Sequence, residues 1–271
     1  MRQNDLAEIL VTNSLTRQFG ELLAVDSLTL SVQAGEVFGL LGRNGAGKST
    51  LIKMLTTLLP PSSGTASVGG CDIVRQAAQV RRLIGYVPQA LSADGELTGY
   101  ENLQVFARLY DIPRGLREER IRDGLAFMGL TDAAGKLVRT YSGGMIRRLE
   151  IAQSMLHRPQ VLFLDEPTVG LDPVAREAVW EHIKQLRASF GTTIFLTTHY
   201  MDEAEQLCSR VAILRRGKLV ALGTLAELRA ASGDGRATLE EIFRHYTEDS
   251  PEGEGGYLDT ASTRHTAQRL G

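Results

Sequence analysis

The segment that most constrains the fold is a glycine-rich loop, GRNGAGKS at residues 42–49, which lies between the apolar run EVFGLL and a helical pattern. The loop satisfies the pattern G-x-x-x-x-G-K-[ST]. Gly42, Gly45 and Gly47 allow the backbone to approach a phosphate group without Cβ clashes, so that N–H groups reach its oxygen atoms. A strand that runs through such a loop into a helix predicts an α/β fold with a largely parallel sheet.

Two side chains of this loop indicate which ligands it takes. Lys48 supplies a mobile cation for the β- and γ-phosphates of a nucleotide, and Ser49 offers a hydroxyl to Mg²⁺. The helix that begins near Lys48 adds the positive end of its dipole. We therefore expect a nucleotide with β- and γ-phosphates, and Mg²⁺. The residues predicted to hold the nucleotide here are Gly42, Arg43, Asn44, Gly45, Ala46, Gly47, Lys48, Ser49 and Thr50.

A second motif, VLFLDEPT at residues 161–168, ends an apolar run in two adjacent acids. Four consecutive apolar residues suit a central parallel strand that is covered on both faces. Asp165 then emerges at the edge of the sheet where ligands bind in open α/β folds, and we expect it to hold Mg²⁺. Glu166 is predicted to polarise the attacking water. Surface acids at an ordinary strand end are the alternative, which the neighbouring phosphate loop disfavours.

Composition excludes several other classes of protein. With 271 residues, 43% of them hydrophobic, the chain can bury a substantial core. A formal net charge of -2 argues against binding nucleic acid by bulk electrostatics, and no nucleic-acid partner is expected. Cys71 and Cys208 are too few for a disulfide framework, which favours a reducing, cytosolic compartment. The N-terminus lacks a signal-peptide pattern, and apolar runs such as VLFL fall far short of the roughly 18–20 residues of a membrane span.

The pattern along the chain predicts how the α/β core is organised. The first thirty residues alternate apolar and polar side chains, as antiparallel strands with one solvated face do. A helical segment over about 90–156 interrupts the sheet pattern. Val179, Ile183, Leu186 and Phe190 mark an amphipathic helix, and a helix through Leu51, Leu55 and Leu58 is predicted to stop at Pro60. A helical extension is expected over 229–247 and a disordered tail over 248–271.

With these motifs placed, a further string identifies a family. YSGGM at residues 141–145 resembles the LSGGQ signature of the nucleotide-binding domain of ABC transporters, and the resemblance runs from about Ile9 to Leu228. It implies a P-loop NTPase fold with an N-terminal antiparallel β subdomain, a parallel-sheet core and an inserted α-helical subdomain, in a domain over 1–228. It also implies that Ser142, Gly143 and Gly144 contact ATP held by the opposite protomer of a homodimer. The residues fit, because Ser142 can cap a helix and the glycines permit close approach to a γ-phosphate.

Other positions match the family one by one. Gln89 resembles the glutamine that meets Mg²⁺ and the attacking water, and His199 the switch histidine that reaches the γ-phosphate. Asp172 lies in a segment that resembles the loop crossing the dimer interface; read alone, it is a helix N-cap before Pro173. Phe19 matches the aromatic position that stacks on adenine, and a packing role in a hairpin is the alternative. Glu166, His199 and Gln89 are thus the predicted catalytic residues.

The signature of this chain departs from the family pattern at two positions. Tyr141 replaces the usual Leu and Met145 the usual Gln, which leaves the ribose-side contacts open. The longer string YSGGMIRRLEIAQSM and the later RATLEEIF resemble the exporter-type ATPases that pair with ABC-2 membrane subunits, including the bacterial daunorubicin and doxorubicin resistance type. Leu239, Ile242 and Phe243 of the second string are also expected simply to pack a C-terminal helix on the core.

The resemblance implies an ATPase subunit that powers export of a hydrophobic small molecule, drug or lipid-linked substrate. Its expected partners are a separate ABC-2 permease and a second copy of the chain, at the cytoplasmic side of the cell membrane. Two alternatives stay open at this point: a soluble ABC ATPase acting on ribosomes or DNA, and an importer ATPase. The nucleotide site does not separate export from import, and the transported substrate is not encoded in these motifs.

Overall fold

The computed structural model of the chain describes residues 7–233 and 235–248. Two sheets and a set of helices follow one another as the alternating pattern predicts. In chain order the elements are β1 (Glu8–Phe19), β2 (Leu22–Gln33), β3 (Val37–Gly42), α1 (Lys48–Leu55), β4 (Ser63–Val68), β5 (Cys71–Asp72), α2 (Ala77–Leu83), β6 (Ile84–Val87), α3 (Gly99–Leu109), α4 (Arg114–Phe127), α5 (Gly143–Met155), β7 (Val161–Asp165), α6 (Pro173–Phe190), β8 (Thr193–Thr198), α7 (Met201–Leu207), β9 (Arg210–Arg215), β10 (Lys218–Gly223), α8 (Leu225–Ala231) and α9 (Leu239–Thr247).

The central sheet has the strand order β10-β9-β3-β8-β7-β6 among the described residues. Its pairs are parallel except for the antiparallel pair of β9 and β10. Every residue of β3, β7 and β8 is buried, as expected for central strands covered on both faces. The phosphate loop therefore leaves β3 beside the carboxyl ends of β8 and β7, at one edge of the sheet.

A smaller antiparallel sheet, of order β2-β1-β4-β5, carries the N-terminal part of the chain. The alternating burial of β1 and β2 confirms the predicted pair of strands. β4 was not predicted, because its residues, SGTASV, carry little apolar signal. Gly64, near the start of β4, has φ +78° and lies close to the backbone of β1. A Cβ on Gly64 would lie 2.2 Å from the carbonyl oxygen of Ser14. Close backbone contact thus requires glycine at this position.

The predicted helical segment contains α3, α4 and α5, which confirms the inserted helical part of the fold. These helices contribute Leu103, Leu125 and Leu149 to a buried cluster that also contains Leu164 and Leu196 of the sheet. A second cluster on the other face of the sheet packs β1, β2 and α1 against it. The domain boundaries assigned from the sequence remain predictions.

One helix ends earlier than the sequence indicates, and one residue of another predicted helix is more exposed than its pattern suggests. α1 stops at Leu55, Thr57 adopts φ +64°, and Leu58 is 61% exposed, so Leu58 is not part of the helix. Phe190 ends α6 and is 51% exposed, whereas Val179 and its buried neighbours on that helix face the core as predicted.

The C-terminal helix α9 packs on the core through Leu239 and Ile242, both 1% exposed. Thr238 and Glu241 form a capping box at its start. The predicted tail lies outside the described residues except for Glu248. Across the part of the chain that the structure describes, no helix is both long and apolar enough to cross a membrane.

Candidate nucleotide-binding site

The glycine-rich loop forms a backbone cradle at the end of β3. Gly45 and Gly47 have φ values of +80° and +105°, conformations that other residues rarely adopt. A Cβ on Gly47 would also lie 2.3 Å from the carbonyl oxygen of Ala24. The loop therefore requires glycine for its own shape and for its packing against β2, and α1 starts directly after it at Lys48.

Lys48 extends back across this loop and is almost fully buried, with 4% exposure. Its Nζ donates hydrogen bonds to the carbonyl oxygens of Gly42, at 2.8 Å, and Arg43, at 3.3 Å. The same ammonium lies 3.2 Å from Oε1 of Glu166. A buried ammonium surrounded by acceptors is held at a defined place. The phosphate loop and the carboxylate strand thus meet through Lys48.

Glu166 is the centre of the site. Its carboxylate receives a hydrogen bond from Nε2 of Gln89 at 3.2 Å, and Nδ1 of His199 lies 3.3 Å from the same oxygen, Oε2. The three predicted catalytic residues, Glu166, Gln89 and His199, therefore lie together, and Lys48 contacts the same carboxylate.

The backbone at Glu166 is strained, with φ +49°. Its N–H donates to the carbonyl oxygen and to Oγ1 of Thr197, at 3.1 and 3.0 Å, which holds this conformation. A non-glycine residue in the left-handed region costs about 1–3 kcal/mol, and such residues concentrate at functional sites. The residue in this conformation is the one whose side chain contacts Lys48. This feature was not predicted, because the sequence at this position shows only an acid after an apolar run.

Asp165 and Ser49, the two residues predicted to hold Mg²⁺, lie in hydrogen-bond contact with each other. Ser49 Oγ donates to Oδ1 of Asp165 at 3.3 Å, and Thr197 Oγ1 donates to the same oxygen at 2.6 Å. In the described chain no group of three or more His, Cys, Asp or Glu residues could hold a metal ion alone. One carboxylate and one hydroxyl beside a phosphate loop fit Mg²⁺, which binds proteins through few side chains and takes its other ligands from phosphates and water. Thr197 was missed by sequence reasoning, since a threonine ending a strand carries no distinctive signal.

Burial raises the pKa of Tyr86 on β6 to about 12, and the negative charge of Asp165 adds a smaller contribution in the same direction. The phenol beside the site therefore stays protonated across the physiological range. It contributes no charge to the site.

A cavity of about 880 Å³ opens in front of these groups. Phe19 lies at its wall with 43% of its surface exposed, and the Arg17 guanidinium lies 4.5 Å from its ring centroid. The predicted residues that line the cavity are Phe19, Asn44, Gly45, Ala46, Gly47, Lys48, Ser49, Thr50, Gln89, Glu166 and His199. Gly42, Arg43 and Asp165 are outside this lining but contact it through Lys48 and Ser49. Sequence reasoning missed the remaining wall residues, Leu22, Leu23, Ala24, Val169 and Arg216. The available signal for this wall was the pair of consecutive leucines, Leu22 and Leu23, at the tip of the β1–β2 hairpin, where they are 66% and 38% exposed.

The signature residues lie elsewhere in the chain. Ser142 caps α5, its Oγ accepting from the N–H of Met145 at 3.3 Å, and Asp172 caps α6 by accepting from the N–H of Ala175 at 2.9 Å. Ser142, Gly143 and Asp172 are exposed, whereas Gly144 is buried. A Cβ on Gly144 would lie 2.8 Å from that of Ala175, so this glycine has a packing role within the chain. None of these residues lines the cavity of their own chain.

A cradle of this kind, joined by a buried lysine to a carboxylate strand, defines a P-loop ATPase. Comparison with known proteins places it more closely. The family model described as ABC transporter matches residues 25–169.

The chain is 47% identical over 222 residues to the daunorubicin/doxorubicin resistance ATP-binding protein DrrA of Streptomyces peucetius, covering 82% of this chain and 67% of that protein. It is 44% identical over 220 residues to the Nod factor export ATP-binding protein I of Ralstonia nicotianae, covering 81% and 68%. A solved structure of the ATP binding subunit of an ABC transporter superposes with a TM-score of 0.80 at 31% identity, covering 89% of this chain and all of that one.

The chain belongs to the ABC transporter family, as an ATP-binding domain. The family and fold predicted from the sequence are confirmed. Its members bind ATP and couple ATP hydrolysis to transport, and their ATPase subunits act with membrane permease subunits.

Proposed function

We propose that this chain is the ATP-hydrolysing subunit of an exporter, which moves a hydrophobic small molecule, drug or lipid-linked substrate through a separate ABC-2 permease. The observation that carries the catalytic part is the convergence of Lys48, Gln89 and His199 on Glu166 beside the phosphate loop. Export is supported by the relatives, whose names describe drug resistance and Nod factor export. Association with the permease would place the chain at the cytoplasmic side of the membrane.

In this proposal Glu166 polarises the water that attacks the γ-phosphate. Its carboxylate accepts a hydrogen bond from Gln89 and forms an ion pair with Lys48, and its backbone N–H is bonded to Thr197, so that it is positioned before substrate arrives. Lys48 neutralises phosphate charge, and His199 reaches the same phosphate from the end of β8. Asp165 and Ser49 would hold Mg²⁺, with Gln89 as a further contact, and the ion would offset the charge of the β- and γ-phosphates when bound.

We further propose that two copies of the chain complete each other's sites. Ser142 and Gly143 are exposed at the N-terminus of α5, and Asp172 is exposed at that of α6, outside the cavity of their own chain. Backbone N–H groups at a helix N-terminus suit a γ-phosphate presented by another copy. ATP would hold the two copies together, and hydrolysis would release them.

The first experiment tests the catalytic assignment. Glu166→Gln should lower ATP turnover by on the order of 10²–10⁴-fold, because a general base is lost, while ATP binding is kept. Glu119→Gln, on the exposed surface of α4, is the matched control and should turn over ATP at the wild-type rate. A Glu166→Gln protein that hydrolyses ATP near the wild-type rate would show that another group is the base.

A second experiment tests the dimer and the transport class. Glu166→Gln with ATP should sediment as a dimer, and adding Ser142→Arg should restore the monomer, because the larger side chain blocks the exposed α5 terminus.

Co-purification with a six-span permease supports the exporter. Recovery with ribosomes or DNA and no membrane protein would overturn it, and a periplasmic binding protein among the partners would indicate import.

A further inference from the structure

Helix α5 carries a buried pair of opposite charges that the proposed chemistry does not use. Arg147 is 2% exposed and Glu150 is 3% exposed, and Nη1 of the arginine lies 3.0 Å from Oε2 of the glutamate. Burial lowers the pKa of Arg147, and the charge of Glu150 opposes this shift. Apolar side chains of similar volume commonly stabilise a core at least as well as such a pair, so stability alone does not account for it.

Both side chains form hydrogen bonds to one loop, residues 88–94, which follows β6 and contains Gln89. Arg147 donates from its two terminal nitrogens to the carbonyl oxygens of Pro88 and Gln89, each at 2.7 Å. Oε1 of Glu150 accepts from the N–H and the hydroxyl of Ser92. The planar fork of arginine suits its two-point contact, and on the other side a single carboxylate oxygen of Glu150 accepts both bonds from Ser92.

The far end of the same loop is fixed by amide side chains. Asn102 of α3 accepts from the N–H of Asp94 at 3.0 Å and donates to its carbonyl oxygen at 2.9 Å. Gln153, on the same face of α5 as the charged pair, donates to Oδ1 of Asn102 at 3.3 Å. The loop is thus joined to the helical part of the fold at both ends.

We propose that Arg147 and Glu150 are positioning residues, which fix the Gln89 loop to α5 so that Gln89 is aimed at Glu166. This proposal rests on the proposed function, because it assigns Arg147 and Glu150 an effect on turnover through Gln89. Ser142 caps the same helix one turn before Arg147. A contact made at Ser142 by a second copy would therefore displace the loop of Gln89 together with the helix, and the two ATP-facing groups would move as one unit.

A double-mutant cycle on ATP turnover tests whether Arg147 acts through Gln89. Arg147→Met should lower kcat at least about 10-fold and change KM for ATP by less than about 3-fold, since ground-state binding by the phosphate loop is untouched. In a Gln89→Ala background the same change should lower kcat by no more than about 2-fold, because the group it positions is gone. Effects that multiply in the double variant, or a raised KM with unchanged kcat, would overturn the proposal.

Arg148→Met is the matched control. Arg148 is the next residue of α5 and also donates to a backbone carbonyl, that of Met128 at 2.8 Å, but this contact stays within the helical segment. Its kcat should remain within about 2-fold of wild type.

If Arg147→Met does not fold, the paired change Arg147→Met with Glu150→Met leaves no unpaired charge in the core and carries the same predictions. Turnover that Glu166→Gln abolishes, with wild-type kcat in the Arg147 variants, refutes only the positioning role. Turnover insensitive to Glu166→Gln refutes the proposed function itself.

Discussion

Tyr141 is one of the two departures from the signature pattern. Its side chain fits beside α3 only because residue 99 of that helix is a glycine. Its Oη donates to the carbonyl oxygen of Ala133 at 2.7 Å, and the side chain is buried. A Cβ on Gly99, the first residue of α3, would lie 2.3 Å from that Oη. Gly99→Ala must therefore displace the tyrosine, which directly precedes the Ser142 cap.

The magnitude follows from three terms. Overpacking of a core costs about 1–3 kcal/mol, and loss of a buried neutral hydrogen bond costs about 1 kcal/mol. Alanine in a helix regains about 0.5–1 kcal/mol relative to glycine. Gly99→Ala should thus destabilise the protein by about 1–3 kcal/mol. Tyr141→Phe alone should cost only about 1 kcal/mol, since the Ala133 oxygen keeps a hydrogen bond from the N–H of Lys136.

Urea unfolding of the two single variants and the double variant measures the coupling between the sites. In the Tyr141→Phe background Gly99→Ala should cost less than about 0.5 kcal/mol, because the atom with which the new methyl group collides is absent. Gly115→Ala on α4 is the matched control, since a Cβ there meets nothing within 4 Å, and it should be neutral or stabilising. Equal destabilisation by Gly99→Ala in both backgrounds would refute the steric argument.

Three further outcomes are expected. Burial lowers the pKa of His157, and the hydrogen bond to the Ile84 carbonyl opposes this shift, so the stability that neutral His157 contributes is lost as pH falls below its ordinary pKa of about 6.5. The melting temperature should therefore change less between about pH 7.5 and 5.5 in His157→Gln than in the wild type. An equal change in both proteins would contradict this assignment. Burial raises the pKa of the Cys208 thiol, so iodoacetamide should modify Cys71 and spare Cys208 in the native protein, as mass spectrometry of the peptides would show; labelling of Cys208 at an equal rate would count against this. Phe19→Ala should raise KM for ATP by about 10-fold and Phe19→Tyr by less than about 2-fold, if the ring stacks on adenine; equal values for both variants would point to packing alone.

The sequence was sufficient to predict the nucleotide loop and the carboxylate strand because each needs particular residue types at fixed spacing. Glycine at positive φ, a lysine after it and acids at the end of an apolar strand are each demanded by local geometry. The same reasoning found β1 and β2, whose alternation reports one buried face. It failed at β4, where five small or polar residues precede a single valine and the strand is held by pairing with β1 rather than by its own preference.

The rest of the site depends on contacts that have no local signature. The positive φ of Glu166 is maintained by Thr197, which is 31 residues away in sequence. Arg147 is one of two adjacent arginines, a pattern that usually marks a solvated face, yet it is buried against the loop of Gln89. Neither contact could be predicted without knowing which strand ends and helix faces meet in space.

The structure also explains why the signature tolerates its two unusual residues. Tyr141 is buried with its hydroxyl bonded inside the helical segment, and Met145 is partly buried against the same hydrophobic cluster. Ser142 and Gly143, between them, are the exposed positions at the start of α5. Since the departures point into the chain, while Ser142 and Gly143 remain on the surface, the substitutions alter the support of this helix rather than its exposed N-terminal face.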